Sequence, residues 1–125
     1  MPEKPRPVAF VVDDEEVIAS TLAAILKISG FASMAFADPW EALRTAESQP
    51  PSLVISDVIM PGMNGIDLAI RIKSKCPNCK ILLFSGQAAT ADLLESARTE
   101  GHDFVLLEKP VHPSDLLAAI KKLDT

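Results

Sequence analysis

Val8-Ala9-Phe10-Val11-Val12-Asp13-Asp14 places five apolar residues directly before two acids. The run is short and unbroken, as in a strand covered on both faces. The same pattern returns three times. Leu53-Val54-Ile55-Ser56 runs into Asp57, Lys80-Ile81-Leu82-Leu83-Phe84 runs into Ser85, and Phe104-Val105-Leu106-Leu107 precedes Lys109-Pro110. If these strands lie parallel in one sheet, their C-terminal ends share one edge. Asp13, Asp14, Asp57, Ser85 and Lys109 then converge where open α/β sheets bind ligands. Three carboxylates, a hydroxyl and an ammonium suit a divalent cation and a phosphoryl group.

The segments between these runs read as helices. Glu16 to Ser29 carries Val17, Ile18, Leu22, Ile25, Leu26 and Ile28 on a broad apolar face, with Gly30 as its stop. Phe31 to Phe36 is a further short strand. Asp38-Pro39-Trp40-Glu41 combines an N-cap, a proline at the first helical position and a capping-box acid. It opens a helix to about Ser48, ahead of Pro50-Pro51. Pro61-Gly62-Met63-Asn64-Gly65 is a loop, and Ile66 to Lys75 is helical with Ile66, Ala69, Ile70 and Ile72 as its apolar side. A helix from about Thr90 to Thr99 ends at Gly101. Pro113 opens the last, with Leu116, Leu117, Ile120 and Leu123 on one face. Strands alternating with helices imply βαβ crossovers and a parallel sheet. The expected fold is α/β, with five strands and five helices in three layers.

A chain of 125 residues fits one domain, expected over 8–125 behind a disordered, proline-rich lead-in at 1–7. With 48% hydrophobic and 23% charged residues it can build a packed core. The net charge of −5 argues against nucleic acid as a direct partner and against an anionic membrane surface, since both call for a basic face. No apolar run approaches the roughly 20 residues of a membrane helix. The start lacks a signal peptide's apolar stretch, so a cytoplasmic protein is expected. Cys76-Pro77-Asn78-Cys79 has the spacing of a redox motif or half a zinc site. Zinc needs about four ligands, and no second cysteine pair exists. A thioredoxin-like motif sits between a strand and its following helix. Here a helix precedes the pair and a strand follows, which favours a plain loop.

Carboxylates brought together repel one another, and at least one pKa rises unless a cation lies between them. Mg²⁺ takes a few carboxylate oxygens and completes its octahedron with water and phosphate. A carboxylate can also attack phosphorus as a nucleophile, giving an aspartyl phosphate. Lys109 can hold a phosphate oxygen as a mobile point charge, and Ser85 can donate a hydrogen bond to another. Taken alone, Asp14 reads as a cap for the first helix. The joint placement at strand ends carries the functional reading.

Val11-Val12-Asp13-Asp14-Glu15, Ser56-Asp57-Val58-Ile59-Met60-Pro61-Gly62-Met63-Asn64-Gly65, Leu83-Phe84-Ser85-Gly86 and Glu108-Lys109-Pro110 follow one another in a familiar order. Over about residues 8 to 123 the chain resembles the receiver domains of two-component response regulators. The resemblance implies a flavodoxin-like, doubly wound sheet of strand order 2-1-3-4-5. It implies that Asp57 accepts a phosphoryl group from a histidine kinase or phosphotransfer protein. Asp14 and Asp57 would bind Mg²⁺ together with the backbone carbonyl of Ile59, and Asp13 would act through a metal-bound water. Lys109 would pair with Asp57 and then with its phosphate, and Pro110 would follow through a cis bond. Ser85 would swing toward the phosphate and reshape the helix 4–strand 5–helix 5 face. That face, with Leu94, Arg98 and Leu106, is one through which many receivers form homodimers. A downstream effector protein, or an output domain outside this chain, would read the switch. Such a domain catalyses only its own phosphotransfer and dephosphorylation and is not an enzyme for other substrates.

The sequence departs from the family pattern in places. Leu106 stands three residues before Lys109, where Tyr or Phe is common. Gly101 to Lys109 runs one residue longer than usual, which leaves the register of the last strand open. Phe104 offers an aromatic ring at a different spacing. Ile59 and Gln87 occupy positions that tune attack of water on the phosphate. Ile59 has no polar group to position a water, so slow loss of phosphate is predicted. Two other classes compete with this reading. A receiver-like adaptor would bind partners without phosphorylation, although every signature residue is present here. A small phosphatase with an Asp nucleophile would act on external esters, but no segment resembles a substrate-capping insertion.

Overall fold

Side chains on successive strand residues point to opposite faces of a sheet, and both faces here are apolar. In the first strand Phe10 and Val12 enter one core, Ala9 and Val11 the other, and all four are fully buried. Val54, Ile81 and Leu83 join the first set, and Leu53, Ile55, Leu82 and Phe84 the second. This explains why the strands read as unbroken apolar runs.

The computed structural model describes residues 6–86, 90–102 and 104–123. The order is β1 (Val8–Val12), α1 (Glu16–Ile28), β2 (Ala32–Phe36), α2 (Pro39–Ser48), β3 (Leu53–Asp57), α3 (Gly65–Lys75), β4 (Lys80–Ser85), α4 (Thr90–Thr99), β5 (Val105–Glu108) and α5 (Pro113–Leu123). All strand pairs are parallel, in the order β2-β1-β3-β4-β5. Residues of α2, α3 and α4 fill one core, and residues of α1 and α5 fill the other. The five-stranded, three-layered α/β fold expected from the alternation is the one observed, with the 2-1-3-4-5 order that the resemblance implied.

The N-cap and proline signals at α2 are met, without the reciprocal bond from Asp38 N–H to Glu41 among the described residues. Asp38 accepts a hydrogen bond from the Trp40 backbone N–H, with Pro39 following at the helix start. Asn64 caps α3 by accepting from Asp67 N–H at 2.8 Å. At α1 the capping expectation needs correction. The N-cap is Glu15 with no side-chain bond, and Asp13, not Asp14, accepts from the Glu15 N–H at 2.9 Å. Asp13 is buried and turns back on the loop, whereas Asp14 is exposed. Of the lead-in at 1–7, residues 1–5 lie outside the described residues. Arg6 and Pro7 are exposed, and the Pro7 carbonyl accepts from Ala32 N–H.

The last strand also shifts. It spans Val105–Glu108 rather than Phe104 to Leu107, because Glu108 pairs with Ser85. Gly101 adopts φ +94° after α4, and the Phe104 ring stacks on His102 at 6.1 Å.

Gly65 links this scaffold to Asp57. Its N–H bonds to the Val58 carbonyl at 2.8 Å, and a Cβ there would strike the Asp57 backbone carbonyl and lie 2.9 Å from Ser56 Oγ. Gly65→Ala should therefore cost about 1–3 kcal/mol, as overpacking does, measured by urea denaturation. Unchanged stability would show that the β3–α3 connection gives way freely.

Candidate functional site

The parallel ladder continues past the strand ends and fixes the polar residues there. Asp13 N–H bonds to the Phe36 carbonyl at 3.0 Å, Val58 N–H to Phe84 at 3.1 Å, and Lys109 N–H to Ser85 at 3.1 Å. Each of these bonds crosses to the neighbouring strand. Asp13, Asp57 and Lys109 are thus held by backbone geometry as well as by their side-chain contacts. The Ser56 hydroxyl donates to the Asp57 carbonyl at 2.9 Å, which secures the loop from the other side.

The side chains then meet. Lys109 Nζ lies 3.0 Å from Asp57 Oδ2 and 3.5 Å from Asp13 Oδ2. Asp13 is fully buried and Asp57 nearly so, while Asp14 sits at the exposed rim. Carboxylate oxygens of Asp13, Asp14 and Asp57 all lie within 4.8 Å of one another. Three carboxylates against one ammonium leave a formal charge of −2. An all-oxygen donor set of this charge fits a hard divalent cation such as Mg²⁺.

The electrostatics record the crowding. Burial pushes the Asp13 carboxyl above its ordinary range, and the Asp57 charge adds to this. The bond from Glu15 N–H and the Lys109 ammonium oppose it without prevailing. At Lys109, burial works against the ammonium, but the Asp57 bond and the charges of Asp57 and Asp13 outweigh it and hold its pKa above the usual value. The same ammonium lies 5.2 Å from the centre of the Phe84 ring, a contact that steadies a desolvated cation.

Asp14, Asp57 and Lys109 open onto a cavity of about 580 Å³ whose other walls include Ile59, Met60 and Pro61. Ile59 thus borders the acids, and its side chain is apolar. Ser85 is buried at the end of β4. The Lys109–Pro110 peptide is cis. Asp13, Asp14, Asp57 and Lys109 lie together at the strand ends, and Ser85 closes β4 at the same edge. Gln87 lies outside the described residues. Leu106 and Phe104 are both partly buried against the core beneath α2, α3 and α4. The aromatic ring therefore borders the same core as the leucine but sits before the strand.

Three supporting residues escaped the sequence reading. Phe84 supports the lysine, Ser56 holds the Asp57 carbonyl, and Gly65 leaves room for that carbonyl. In sequence Phe84 and Ser56 are ordinary strand residues. Gly65 had a signal, standing at the end of a loop just before an apolar helix.

A family model of the response regulator receiver domain matches residues 9–121. The chain belongs to this family. Receiver domains act as phosphoacceptors in two-component signalling, and the fold and acid cluster described above are those of such a domain. Among its relatives, the DNA-binding response regulator MtrA of Mycolicibacterium smegmatis is 32% identical over 114 residues, covering 90% of this chain and 48% of that protein. The chain thus spans about half the length of the curated MtrA relatives it matches. Among solved structures, the signal receiver domain of an HD domain-containing protein from Pseudomonas fluorescens Pf-5 superposes with a TM-score of 0.84 at 30% identity, covering 94% of each chain. A CheY-like receiver domain protein from Methanospirillum hungatei JF-1 gives 0.83 at 29% identity, covering 95% of this chain and 94% of that one. Among the described residues no helix is long and apolar enough to cross a membrane.

The buried carboxylate makes a prediction about this receiver domain. Asp13 has a higher pKa folded than unfolded, so its ionised form costs stability at neutral pH. That cost fades as pH falls through the raised value. Asp13→Asn should stabilise the protein in EDTA at pH 7, with a smaller gain in acid. A loss of stability in urea denaturation would mean that the Lys109 attraction dominates instead.

Proposed function

We propose that Asp57 is the phosphoacceptor of this receiver domain, that Mg²⁺ is held by Asp13, Asp14, Asp57 and the Ile59 carbonyl, and that Lys109 and Ser85 manage the phosphate. The observation that carries this reading is the cluster itself. One ammonium touches the carboxylate proposed to react, and a surplus of two negative charges faces an open cavity. A divalent cation bound there would neutralise that surplus and draw charge from the phosphoryl oxygens as they arrive.

An Asp57 carboxylate oxygen attacks the phosphorus of a phosphohistidine. The new O–P bond forms as the P–N bond breaks, and the imidazole leaves neutral by taking a proton from solvent. Lys109 then transfers its contact from the carboxylate to a phosphate oxygen. Ser85 donates to another. Because the Lys109 N–H is bonded to the Ser85 carbonyl, movement at Ser85 is felt by both β4 and β5. This supports a switch in the α4–β5–α5 surface. The donor is a histidine kinase or phosphotransfer protein. The recipient of the signal is an effector protein or an output domain, with a homodimer through the switch surface as one form of output. The functional unit is the segment 8–125, acting in the cytoplasm as a signalling domain without external substrates.

Acetyl phosphate with Mg²⁺ should add one phosphoryl group to the intact chain, seen as a mass increase. Asp57→Asn should lose that adduct. No adduct on the intact chain with Mg²⁺ present, or an undiminished one on Asp57→Asn, would refute the assignment.

The apolar wall bears on lifetime. Ile59 is half-buried beside Asp57 and gives water no hydrogen-bonding partner. The phosphorylated protein should lose phosphate slowly, and Ile59→Asn should shorten its half-life several-fold. Equal half-lives would remove Ile59 from the account.

A further inference from the structure

Cys76 and Cys79 lie at the opposite edge of the sheet, where α3 ends and β4 begins. The Cys79 N–H bonds to the Cys76 carbonyl at 3.0 Å, closing a four-residue turn. Pro77 takes the first central position, where its fixed φ prepares the turn. Such a turn holds its outer Cα atoms within about 7 Å, and a disulfide spans Cα separations of about 4.4–6.8 Å. The Lys73 ammonium binds the carbonyls of both Pro77 and Cys79, at 3.2 and 3.1 Å, fastening the turn to α3. Both cysteines border the same core. Cys79 belongs to the core beneath α2, α3 and α4, and Cys76 packs against the same core, half-exposed.

We propose that Cys76 and Cys79 form a reversible thiol pair, oxidised by low-molecular-weight disulfides to a disulfide that closes the 76–79 turn. The two cysteines have unequal roles. Cys76 is reachable from solvent. Burial, with the neighbouring Cys76, pushes the Cys79 thiol up to about 12 despite Lys73, which keeps it inert toward outside reagents. In the first step the Cys76 thiolate attacks one sulfur of glutathione disulfide. The glutathione S–S bond breaks, and one glutathione leaves as thiolate. In the second step the Cys79 sulfur attacks the Cys76 sulfur as its proton passes to the departing glutathione sulfur, and the second glutathione leaves as thiol. The protein gives up two electrons and two protons, and the glutathione disulfide is reduced to two thiols. This chemistry differs from that of a thioredoxin-like motif, because the reactive sulfur ends a helix instead of starting one.

The full-length chain is equilibrated with mixtures of reduced and oxidised glutathione, alkylated with a maleimide under native and then unfolding conditions, and weighed intact. Under oxidising mixtures the wild-type chain should lose the mass of two hydrogens and take up no maleimide. Cys79→Ala, and equally Cys79→Ser, should stop at the glutathione mixed disulfide. Cys76→Ala should remain unmodified while folded, with folding checked by circular dichroism. Two free thiols persisting in the oxidising mixtures would overturn the proposal. So would a glutathione adduct as the wild-type end product, a disulfide-linked dimer, or rapid modification of folded Cys76→Ala.

Discussion

The Lys109 ammonium, shared between Asp57 at 3.0 Å and buried Asp13 at 3.5 Å, is the contact on which the rest of the structure turns. Two carboxylates packed this closely would expel each other without a cation between them. The lysine supplies one positive charge, and the third acid, Asp14, leaves the group short of balance. A lysine can hold this place only if β5 pairs with β4 in one register, with Glu108 opposite Ser85. A one-residue slip would turn the chain's side chains to the other face and remove the ammonium from the acids.

The remainder of the fold enforces that register. Two apolar cores, one on each face of the sheet, clamp the strands so that their ends cannot drift. Backbone bonds beyond the strands then fix Asp13, Val58 and Lys109 individually. The site is costly for the folded chain, since buried like charges weaken it. Natural proteins accept such local conflicts where function demands them. On one side of the cavity beside Asp57 the wall is apolar, formed by Ile59, Met60 and Pro61.

Most of this was legible in the sequence for a physical reason. Apolar runs of four or five residues bounded by turn residues fit strands covered on both faces, and regular alternation with amphipathic segments leaves a parallel sheet as the simple outcome. Once the sheet is parallel, Asp13, Asp57, Ser85 and Lys109 must share an edge. The parts not legible depend on neighbours distant in sequence. Nothing local distinguishes Phe84 as the ring beneath Lys109, or Ser56 as the donor to the Asp57 carbonyl. The start of β5 was misplaced because Phe104 continues the apolar run, although its ring packs in the turn beside His102 and not in the ladder. Asp14 taken alone reads as a cap, but no side chain caps α1, and Asp13, folded inward, accepts from Glu15 N–H within the loop. The structure shows 76–79 as the loop that the sequence suggested, closed by the Cys79 N–H bond to the Cys76 carbonyl.

The central claim is that the phosphoryl group resides on Asp57 in a cation-dependent acyl phosphate. The most direct measurement is to phosphorylate the chain in Mg²⁺, reduce it with borohydride and map the peptides. Borohydride converts an aspartyl phosphate to the corresponding alcohol and so marks the residue that carried it. The account predicts the alcohol at position 57 alone, and none when EDTA replaces Mg²⁺. A mark at Asp13 or Asp14, or an equal yield in EDTA, would contradict it.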